Sequence, residues 1–234
     1  MQLDVMSYNI RLGLDSSLDA IAHAIIDHGV PDVLALQEVG NHWNMGERVD
    51  QTDYLARRLN MNGTFCGALR DSDGGRYGIA LLTRSEHEVI TRRCLHKDQD
   101  EQRVCLIAKM KTKTPITLVT SHLSIKEAER REQAKALSSI MGTVSGPALL
   151  LGDLNARPES VEYSALMDTC SDAFNGFGSG PAETFSVKEP HRQIDYILLS
   201  KGHWTGESCR VLRDIKTSDH FPIWARISCR ISRL

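Results

Sequence analysis

The chain has 234 residues, of which 41% are apolar and 25% are charged, and its formal net charge is −2. These values are typical of a soluble globular protein with ample length for a hydrophobic core. The near-neutral charge removes any global electrostatic argument for nucleic-acid binding and leaves only a local basic patch open.

The first forty residues predict a strand, a helix and a second strand. Leu3–Tyr8 alternates apolar and polar residues, and Ser16–His28 carries the apolar stripe of an amphipathic helix, with Ser16 as its N-cap. Asp32–Val39 is an apolar run that ends on a carboxylate and a valine. This order is typical of a βαβ unit with polar residues at both strand exits.

The middle of the chain predicts one helix, over Asp50–Asn60, and then a series of strands. Short turns separate the strand-like segments, which are Thr64–Leu69, Tyr77–Arg84, Glu86–Cys94, Arg103–Lys111 and Ile116–Ser121. Successive strands joined by short turns form antiparallel meanders, so the sheets must be mixed.

The last third returns to alternating helices and strands. Ser124 and Glu127 predict a capping box that opens a helix to Met141. Leu149–Leu151 predicts a buried strand, and Phe174–Pro181 predicts a Gly-rich surface loop near the site. The remaining segments are a helix over Ser160–Thr169 and strands over Ile194–Ser200, Glu207–Leu212 and Phe221–Arg230. No linker or repeat interrupts the chain, so we predict a single domain over residues 1–234.

The six cysteines are widely spread and form no C-x-x-C pair, which argues against a structural zinc site and a disulfide framework. We expect several of them to be small core residues in a reducing compartment. No signal peptide or membrane span is visible. We therefore expect a soluble, cytoplasmic monomer, and secretion stays open in case a leader was removed.

Asp153 and Asn155 follow the buried strand, bracketed by Gly152 and Pro158. Because they are two positions apart, their side chains leave the strand from the same face. The carboxylate can take a proton from water, and the amide can hold an oxygen or fix the carboxylate. An Asp/Asn-rich turn is the structural alternative, because both residues favour turns.

Other strand ends also carry polar residues, which are Asn9, Glu38, His122, Asp195 and the pair Asp219–His220. Each has a structural explanation alone, such as a turn hydrogen bond, a solvated strand end or an ion pair. Together they predict a ligand site where strand ends converge. Hard carboxylate ligands without a Cys/His cluster favour Mg²⁺ or Mn²⁺ over zinc. The chain lacks G-x-S-x-G, P-loop and G-x-G-x-x-G motifs, which weakens acyl-transfer, NTP and dinucleotide hypotheses.

An ordered set of short motifs carries a family resemblance. These are Asn9 after a strand, Leu36-Gln37-Glu38, Ala80-Leu81-Leu82-Thr83-Arg84, Ser121-His122-Leu123, Gly152-Asp153-Leu154-Asn155, Ile194-Asp195-Tyr196 and Ser218-Asp219-His220. In this order the chain resembles the endonuclease/exonuclease/phosphatase superfamily over Leu3–Ile227. The resemblance implies the DNase I-like fold, an α/β (α+β) four-layer sandwich. In that fold two mixed β-sheets pack face to face between helices, with the site at one edge.

The resemblance also implies roles for individual residues. Glu38 would bind a divalent metal ion, Mg²⁺ or Mn²⁺, with Asn9 and Asp219 helping directly or through water. Asp153 would orient or deprotonate the attacking water. Asn155 would steady the phosphate.

Two histidines and a further aspartate complete the implied machinery. His220, paired with Asp219, would stabilise the charge that develops on phosphorus. His122 would contact the phosphate or protonate the leaving group, and Asp195 would orient a catalytic partner. In-line attack on a phosphate needs such an activated water, charge neutralisation and a stabilised leaving oxygen.

The sequence departs from two members of the superfamily. Arg11 stands where apurinic endonucleases carry an acidic residue, and His122 where they carry a tyrosine, which points away from abasic-site repair. DNase I has a glutamate beside the histidine that His122 matches, and Arg76-Tyr77-Gly78 offers none.

We predict a metal-dependent phosphoesterase that hydrolyses a phosphodiester, with nucleic acid as the first choice of substrate. Arginines that could contact phosphates are Arg11, Arg70, Arg76, Arg84, Arg92, Arg93 and the pair Arg130/Arg131. Trp43 could stack a base, touch a lipid or cover the core edge. The alternative substrates are a phospholipid head group, an inositol phosphate or a small nucleotide. A third hypothesis is a non-catalytic binding module, whose expected sign, loss of Glu38, Asp153 or His220, is not present.

Overall fold

The computed structural model describes Met1–Arg230, so the last four residues of the predicted domain lie outside the described residues. The strands are β1 (Gln2–Asn9), β2 (Val33–Asn41), β3 (Asn62–Arg70), β4 (Arg76–Thr83), β5 (His87–Cys94), β6 (Val104–Met110), β7 (Ile116–His122), β8 (Ala148–Asp153), β9 (Cys170–Asp172), β10 (Asp195–Ser200), β11 (Trp204–Val211) and β12 (Ile223–Cys229). The α-helices are α1 (Leu18–His28), α2 (Gln51–Leu59), α3 (Glu127–Thr143), α4 (Val161–Met167) and α5 (Ala173–Phe177).

These strands form two six-stranded sheets, ordered β11-β12-β1-β2-β4-β3 and β5-β6-β7-β8-β10-β9. Each sheet has one parallel pair near its centre, β1 with β2 and β7 with β8, and antiparallel neighbours elsewhere. Both parallel pairs are joined through a helix, as a parallel connection requires. The predicted mixed sheets and four-layer sandwich are confirmed.

The core divides into one inner layer and two outer layers. Alternate strand residues such as Val5 and Leu151 face the space between the sheets, where they are fully buried. Their neighbours face outward, Met6 toward α1 and α2, and Leu150 toward α3 and α4. Because both faces of each sheet are covered, the central strands are apolar along most of their length.

This topology brings the polar strand ends to one edge of the sandwich. β1, β2, β7 and β8 all end there, while β10 and β12 run antiparallel to their neighbours and begin there. In the register, His122 pairs with Asp153 and Asp153 pairs with Asp195. The directions of these strands therefore bring the polar residues at their ends to one edge, as predicted.

Local differences from the sequence predictions concern helix starts and one loop. The N-cap of α1 is Ser17, whose hydroxyl accepts from the Ala20 N–H, and not Ser16. The predicted capping box of α3 is wrong, because the N-cap is Lys126 and the Ser124 hydroxyl donates to Asp100 instead.

The predicted loop over Phe174–Pro181 is wrong in its first half. Ala173–Phe177 forms α5, and Phe174 and Phe177 pack against the inter-sheet core. Burial of two aromatic rings outweighs the low helix propensity of the glycines there.

The prediction that several cysteines are small core residues is confirmed, since all six except Cys94 are buried. Among the described residues no helix combines the length and apolarity needed to cross a membrane.

Candidate active site

Asn9, the last residue of β1, links the two sheets at the edge. Its Nδ2 donates to Glu38 Oε1 at 3.0 Å and to Asp153 Oδ2 at 3.1 Å. Its side-chain oxygen, Oδ1, accepts from the Arg11 N–H at 3.0 Å. The turn contact that the sequence left as an alternative is therefore present together with the two carboxylate contacts.

Glu38 lies on a β-bulge of β2, where the register with β4 slips between Gln37 and Val39. Its φ is 54°, a left-handed conformation that non-glycine residues rarely adopt and that is often found at functional sites. The bulge turns the carboxylate into the cavity at the sheet edge. Burial raises the pKa of Glu38, and the Asn9 hydrogen bond offsets part of that effect.

Asp153 is buried at the end of β8 and lies at the centre of the cluster. Its Oδ1 accepts from the Asn155 N–H at 2.9 Å, and its Oδ2 lies 3.7 Å from His220 Nε2 and 3.5 Å from His122 Nε2. Burial and the neighbouring Asp195 carboxylate raise the pKa of Asp153 to about 7, against the lowering influence of His220. A carboxylate with a pKa in this range is suited to proton transfer at neutral pH.

Gly152 makes the close approach of β7 and β8 possible. A Cβ atom at this position would lie 2.0 Å from the carbonyl oxygen of Ser121. Only glycine therefore allows the parallel pair that places His122 directly across from Asp153.

His220 is buried and its partner is Asp195. Its Nδ1 donates to Asp195 Oδ2 at 2.8 Å. The backbone around Asp195 is held by Thr184, whose hydroxyl accepts from the N–H groups of Ile194 and Asp195. Burial opposes the charged imidazolium, but the Asp195 carboxylate outweighs it and raises the pKa of His220 to about 10. The expected pairing with Asp219 is wrong, because the ring nitrogen Nδ1 bonds to Asp195, whose strand begins at the same edge.

His122 is buried between Arg103 and Asn155. The Nη1 of Arg103 lies 3.0 Å from His122 Nδ1, and a guanidinium group can only donate. His122 Nδ1 must therefore accept, so the ring hydrogen is on Nε2 and faces Asp153 Oδ2. Burial and the Arg103 charge hold the pKa of His122 well below its ordinary value, so the ring is neutral.

In this tautomer the 3.2 Å approach of Asn155 Nδ2 to His122 Nε2 is a contact between two donors. The Asn155 amide is held instead by the carbonyl oxygen of Leu123, at 3.0 Å. A ligand oxygen between the two side chains could accept from both.

A cavity of about 450 Å³ opens over this cluster. Sequence reasoning missed several of its lining residues, which are Tyr77, Glu101, Arg103, Ile125, Phe185 and Arg192. Arg103 had a usable signal, since it is a charged residue immediately before an apolar strand that starts at the site edge. It is 6% exposed, and its Nη2 lies 3.4 Å from Glu101 Oε2. The side chain that contacts the His122 ring is thus an arginine and not a glutamate.

The predicted substrate contacts fall in different places. Arg11 lies beside the cluster, with Nε 3.5 Å from Asp219 Oδ2. Trp43 packs against Tyr77, with 5.8 Å between ring centroids. Arg84 is not brought to the site, because it follows β4 at the opposite edge and donates to the carbonyl oxygens of Val30 and Pro31.

Three side chains, Asp153, Asp195 and His220, offer ligand atoms within 4.8 Å of one another. His220 Nδ1 is already bonded to Asp195, so these three form a charged hydrogen-bond network. The more open oxygen donors are Glu38 and Asp219, which line the same cavity.

The chain is similar to known proteins in sequence and in fold. The chain is 24% identical to exodeoxyribonuclease III of Haemophilus influenzae, over 86% of this chain and 92% of that protein. The fold is similar to that of an endonuclease/exonuclease/phosphatase family protein from Bacteroides thetaiotaomicron, at a TM-score of 0.81, 19% identity and 99% coverage of both chains. It is also similar to a mannosyl-6-phosphatase from the same organism, at a TM-score of 0.77 and 19% identity, over 98% of this chain and 100% of that one.

A family profile decides the assignment, because it matches residues 6–220, a span that includes every residue of the cluster described above. Members of this family are hydrolases that act on phosphoester bonds. The chain belongs to the Endonuclease/Exonuclease/phosphatase family.

Proposed function

We propose that this protein is a divalent-metal-dependent phosphodiesterase that acts on nucleic acid by in-line attack of a water molecule. The observation that carries the proposal is the contact of Asp153 with His220 at 3.7 Å. A carboxylate whose pKa lies near 7 faces an imidazole that stays protonated to about pH 10. The pair combines a proton acceptor with a fixed positive charge, which hydrolysis of an anionic ester requires.

The oxygen donors at the cavity fit Mg²⁺ or Mn²⁺. Glu38 and Asp219 are hard carboxylate ligands, and the Asn9 amide steadies Glu38. Burial raises the pKa of Glu38 more than its hydrogen bond to Asn9 lowers it, so a bound cation would stabilise the charged carboxylate. Glu38, Asp219 and Asn9 would hold the metal ion. When bound, the ion would neutralise charge on the phosphate and help to position it.

The side chains around the cavity have separate tasks in this proposal. Asp153 accepts the proton of the attacking water, and Asn9 and the Asn155 N–H hold its two oxygens in place. Protonated His220 faces the non-bridging oxygens and stabilises their charge. Asp195 keeps His220 protonated and fixes its orientation.

His122 is better suited to hydrogen bonding than to acid catalysis. The neutral ring offers its Nε2–H to a phosphate oxygen, and Arg103 prevents a second proton from binding at Nδ1. Of the two roles that the resemblance implies, we therefore propose phosphate contact and not protonation of the leaving group.

A second candidate is a phosphomonoesterase with a small substrate. The similarity to a mannosyl-6-phosphatase and the modest cavity volume favour it. The two candidates differ in the preferred charge of the substrate, since a monoester dianion needs more positive charge around it than a diester.

Hydrolysis of bis-p-nitrophenyl phosphate against p-nitrophenyl phosphate, with Mg²⁺, Mn²⁺ or EDTA, separates these candidates. We expect metal-dependent cleavage of the diester that disappears in Asp153→Ala. Glu38→Gln should raise the Mg²⁺ concentration for half-maximal activity by about 10- to 100-fold. Glu159→Gln, an exposed carboxylate outside the site, should not.

Preference for the monoester would support the phosphatase. Full activity of Asp153→Ala, or of the wild type in EDTA, would contradict the proposed mechanism.

A further inference from the structure

A group of arginines on one flank of the molecule has no acidic partner. Many other arginines pair with carboxylates, for example Arg48 with Asp73 and Arg226 with Asp4. Within Met1–Arg230, by contrast, neither Arg70 nor Arg92 takes part in an ion pair or a side-chain hydrogen bond. Both are exposed, and both lie on edge strands, β3 and β5, that meet at the same side of the two sheets.

These side chains line a concave surface of about 400 Å³, here named the flank pocket. Its wall is Arg70, Arg76 and Arg92, its floor is the segment Phe65–Leu69 of β3, and none of the described residues that line it is acidic. The guanidinium of Arg76 lies 5.3 Å from the centroid of the Phe65 ring. The lining therefore carries three positive charges in a chain whose net charge is −2.

The strand register places the flank pocket at the edge that holds the active-site cavity. Arg92 pairs with Leu106 of β6, and Leu106 pairs with Thr120 of β7, two residues before His122. Two strand spacings, about 10 Å, therefore separate Arg92 from β7. Arg103 lies between them, immediately before β6.

On the other sheet the same edge is reached from Glu38. Asn41 lies three residues beyond it on β2, pairs with Arg76 in the register, and accepts from Arg76 Nη2 at 3.3 Å. Arg76 on one sheet and Arg103 beside the other therefore lie along the edge that joins the active-site cavity to the flank pocket.

We propose that the flank pocket binds a non-scissile phosphate of a nucleic-acid strand whose scissile phosphate occupies the active-site cavity. This inference rests on the proposed function and specifies its substrate as a polynucleotide. Three neighbouring guanidinium groups repel one another, and a phosphate anion removes that cost. Because both sites lie at the same edge of the two sheets, one strand can contact them together. The Phe65 ring and the Arg76 guanidinium provide a flat surface for a base.

A second groove beside the active site fits this role less well. It has a volume of about 560 Å³ and shares Ile125, Asn155, Arg192 and Ile194 with the active-site cavity. Its other arginines, however, lie near the carboxylates of Glu127, Glu159 and Glu162. The charge of that groove is largely balanced, so it lacks the free positive charge of the flank pocket.

The test compares Arg70→Ala/Arg92→Ala with a charge-matched control, Lys201→Ala/Arg210→Ala, on exposed residues of the β10–β11 hairpin and β11. Binding of a short fluorescent single-stranded DNA is measured against NaCl concentration in the Asp153→Asn background, where the strand is not cut. Hydrolysis of bis-p-nitrophenyl phosphate is measured in the active background.

We expect the flank variant to bind DNA about 10-fold or more weakly than the wild type at low salt. The slope of log K against log salt should become less steep by about 1 to 2, because phosphate contacts are lost. Its hydrolysis of the small diester should equal that of the wild type, and the control should bind DNA normally. Equal DNA affinity and salt slope in the flank and control variants would overturn the proposal. So would a wild type that cleaves the small diester and does not bind DNA, while the proposed hydrolase function would stand. A third outcome is that the wild type hydrolyses neither ester while the flank variant binds DNA more weakly than the control. That result would support the flank pocket and refute only the proposed hydrolase function.

Discussion

His220 Nδ1 and Asp195 Oδ2 lie 2.8 Å apart in a buried environment, although 25 residues separate them in the sequence. The contact connects the first residue of β10 to the residue that precedes the start of β12 by three positions. It keeps a positive charge next to Asp153, which would otherwise be buried between carboxylates. Removing Asp195 takes away the hydrogen-bonded partner of the imidazolium, and removing His220 leaves the Asp195 and Asp153 carboxylates buried without its charge.

Asp195→Asn should lower the pKa of His220 from about 10 toward its ordinary value. Since the protonated ring is the active form, the alkaline limb of the pH–rate profile should move down by more than one pH unit. Activity at pH 8 should fall by about 10²-fold or more. The measurement is kcat/KM on the diester from pH 6 to pH 10, with the exposed Asp168→Asn as control. An alkaline limb that stays in place would show that His220 is not the charged group.

Asp153→Asn should abolish hydrolysis and stabilise the fold. The carboxyl group has a pKa of about 7 in the folded protein against an ordinary value of 3.8. The folded state therefore binds a proton more readily, and the free energy of unfolding falls as pH rises from about 4 to about 7. At pH 8 the amide should raise that free energy by about 0.5–2 kcal/mol. Urea unfolding at pH 4 and pH 8 checks this, and a variant less stable than the wild type at pH 8 would contradict it.

His122 should remain neutral, with its hydrogen on Nε2, from pH 6 to pH 8. Burial and Arg103 lower its pKa, and the Arg103 contact at Nδ1 selects the tautomer. The ¹⁵N chemical shifts of the ring report both properties directly. In Arg103→Met the preference for one tautomer should weaken. Two protonated ring nitrogens at pH 7 in the wild type would restore general-acid catalysis by His122 as a possibility.

Gly152→Ala should destabilise the protein by about 3 kcal/mol or more, because its Cβ would lie 2.0 Å from the Ser121 carbonyl oxygen. Gly176→Ala is the matched control, since a Cβ there meets nothing within 4 Å. The measurement is thermal unfolding of both variants. Equal melting temperatures would mean that β7 and β8 separate without cost.

Single residues in the sequence were sufficient to predict much of this site. Asn9, Glu38, His122, Asp153 and Asp195 each follow or begin an apolar strand, and strand direction carries all of them to one edge. Such patterns are local, so they can be recognised in the sequence without knowledge of the fold. Arg84 satisfied the same local criterion and lies at the other edge, because β4 runs antiparallel to β2.

The pairing of side chains was decided by the tertiary structure alone. The family resemblance implied Asp219 as the partner of His220, but the ring bonds to Asp195, the first residue of β10. The same holds for Arg103, whose contact with His122 depends on the alignment of β6 with β7.

The family, the mixed sheets and the residue types at the candidate site could be predicted from the order of residues along the chain. The tertiary structure decided which charges neutralise one another and which remain free. Charge interactions depend on distances of a few ångströms between residues far apart in sequence, and only the packed sheets define those distances.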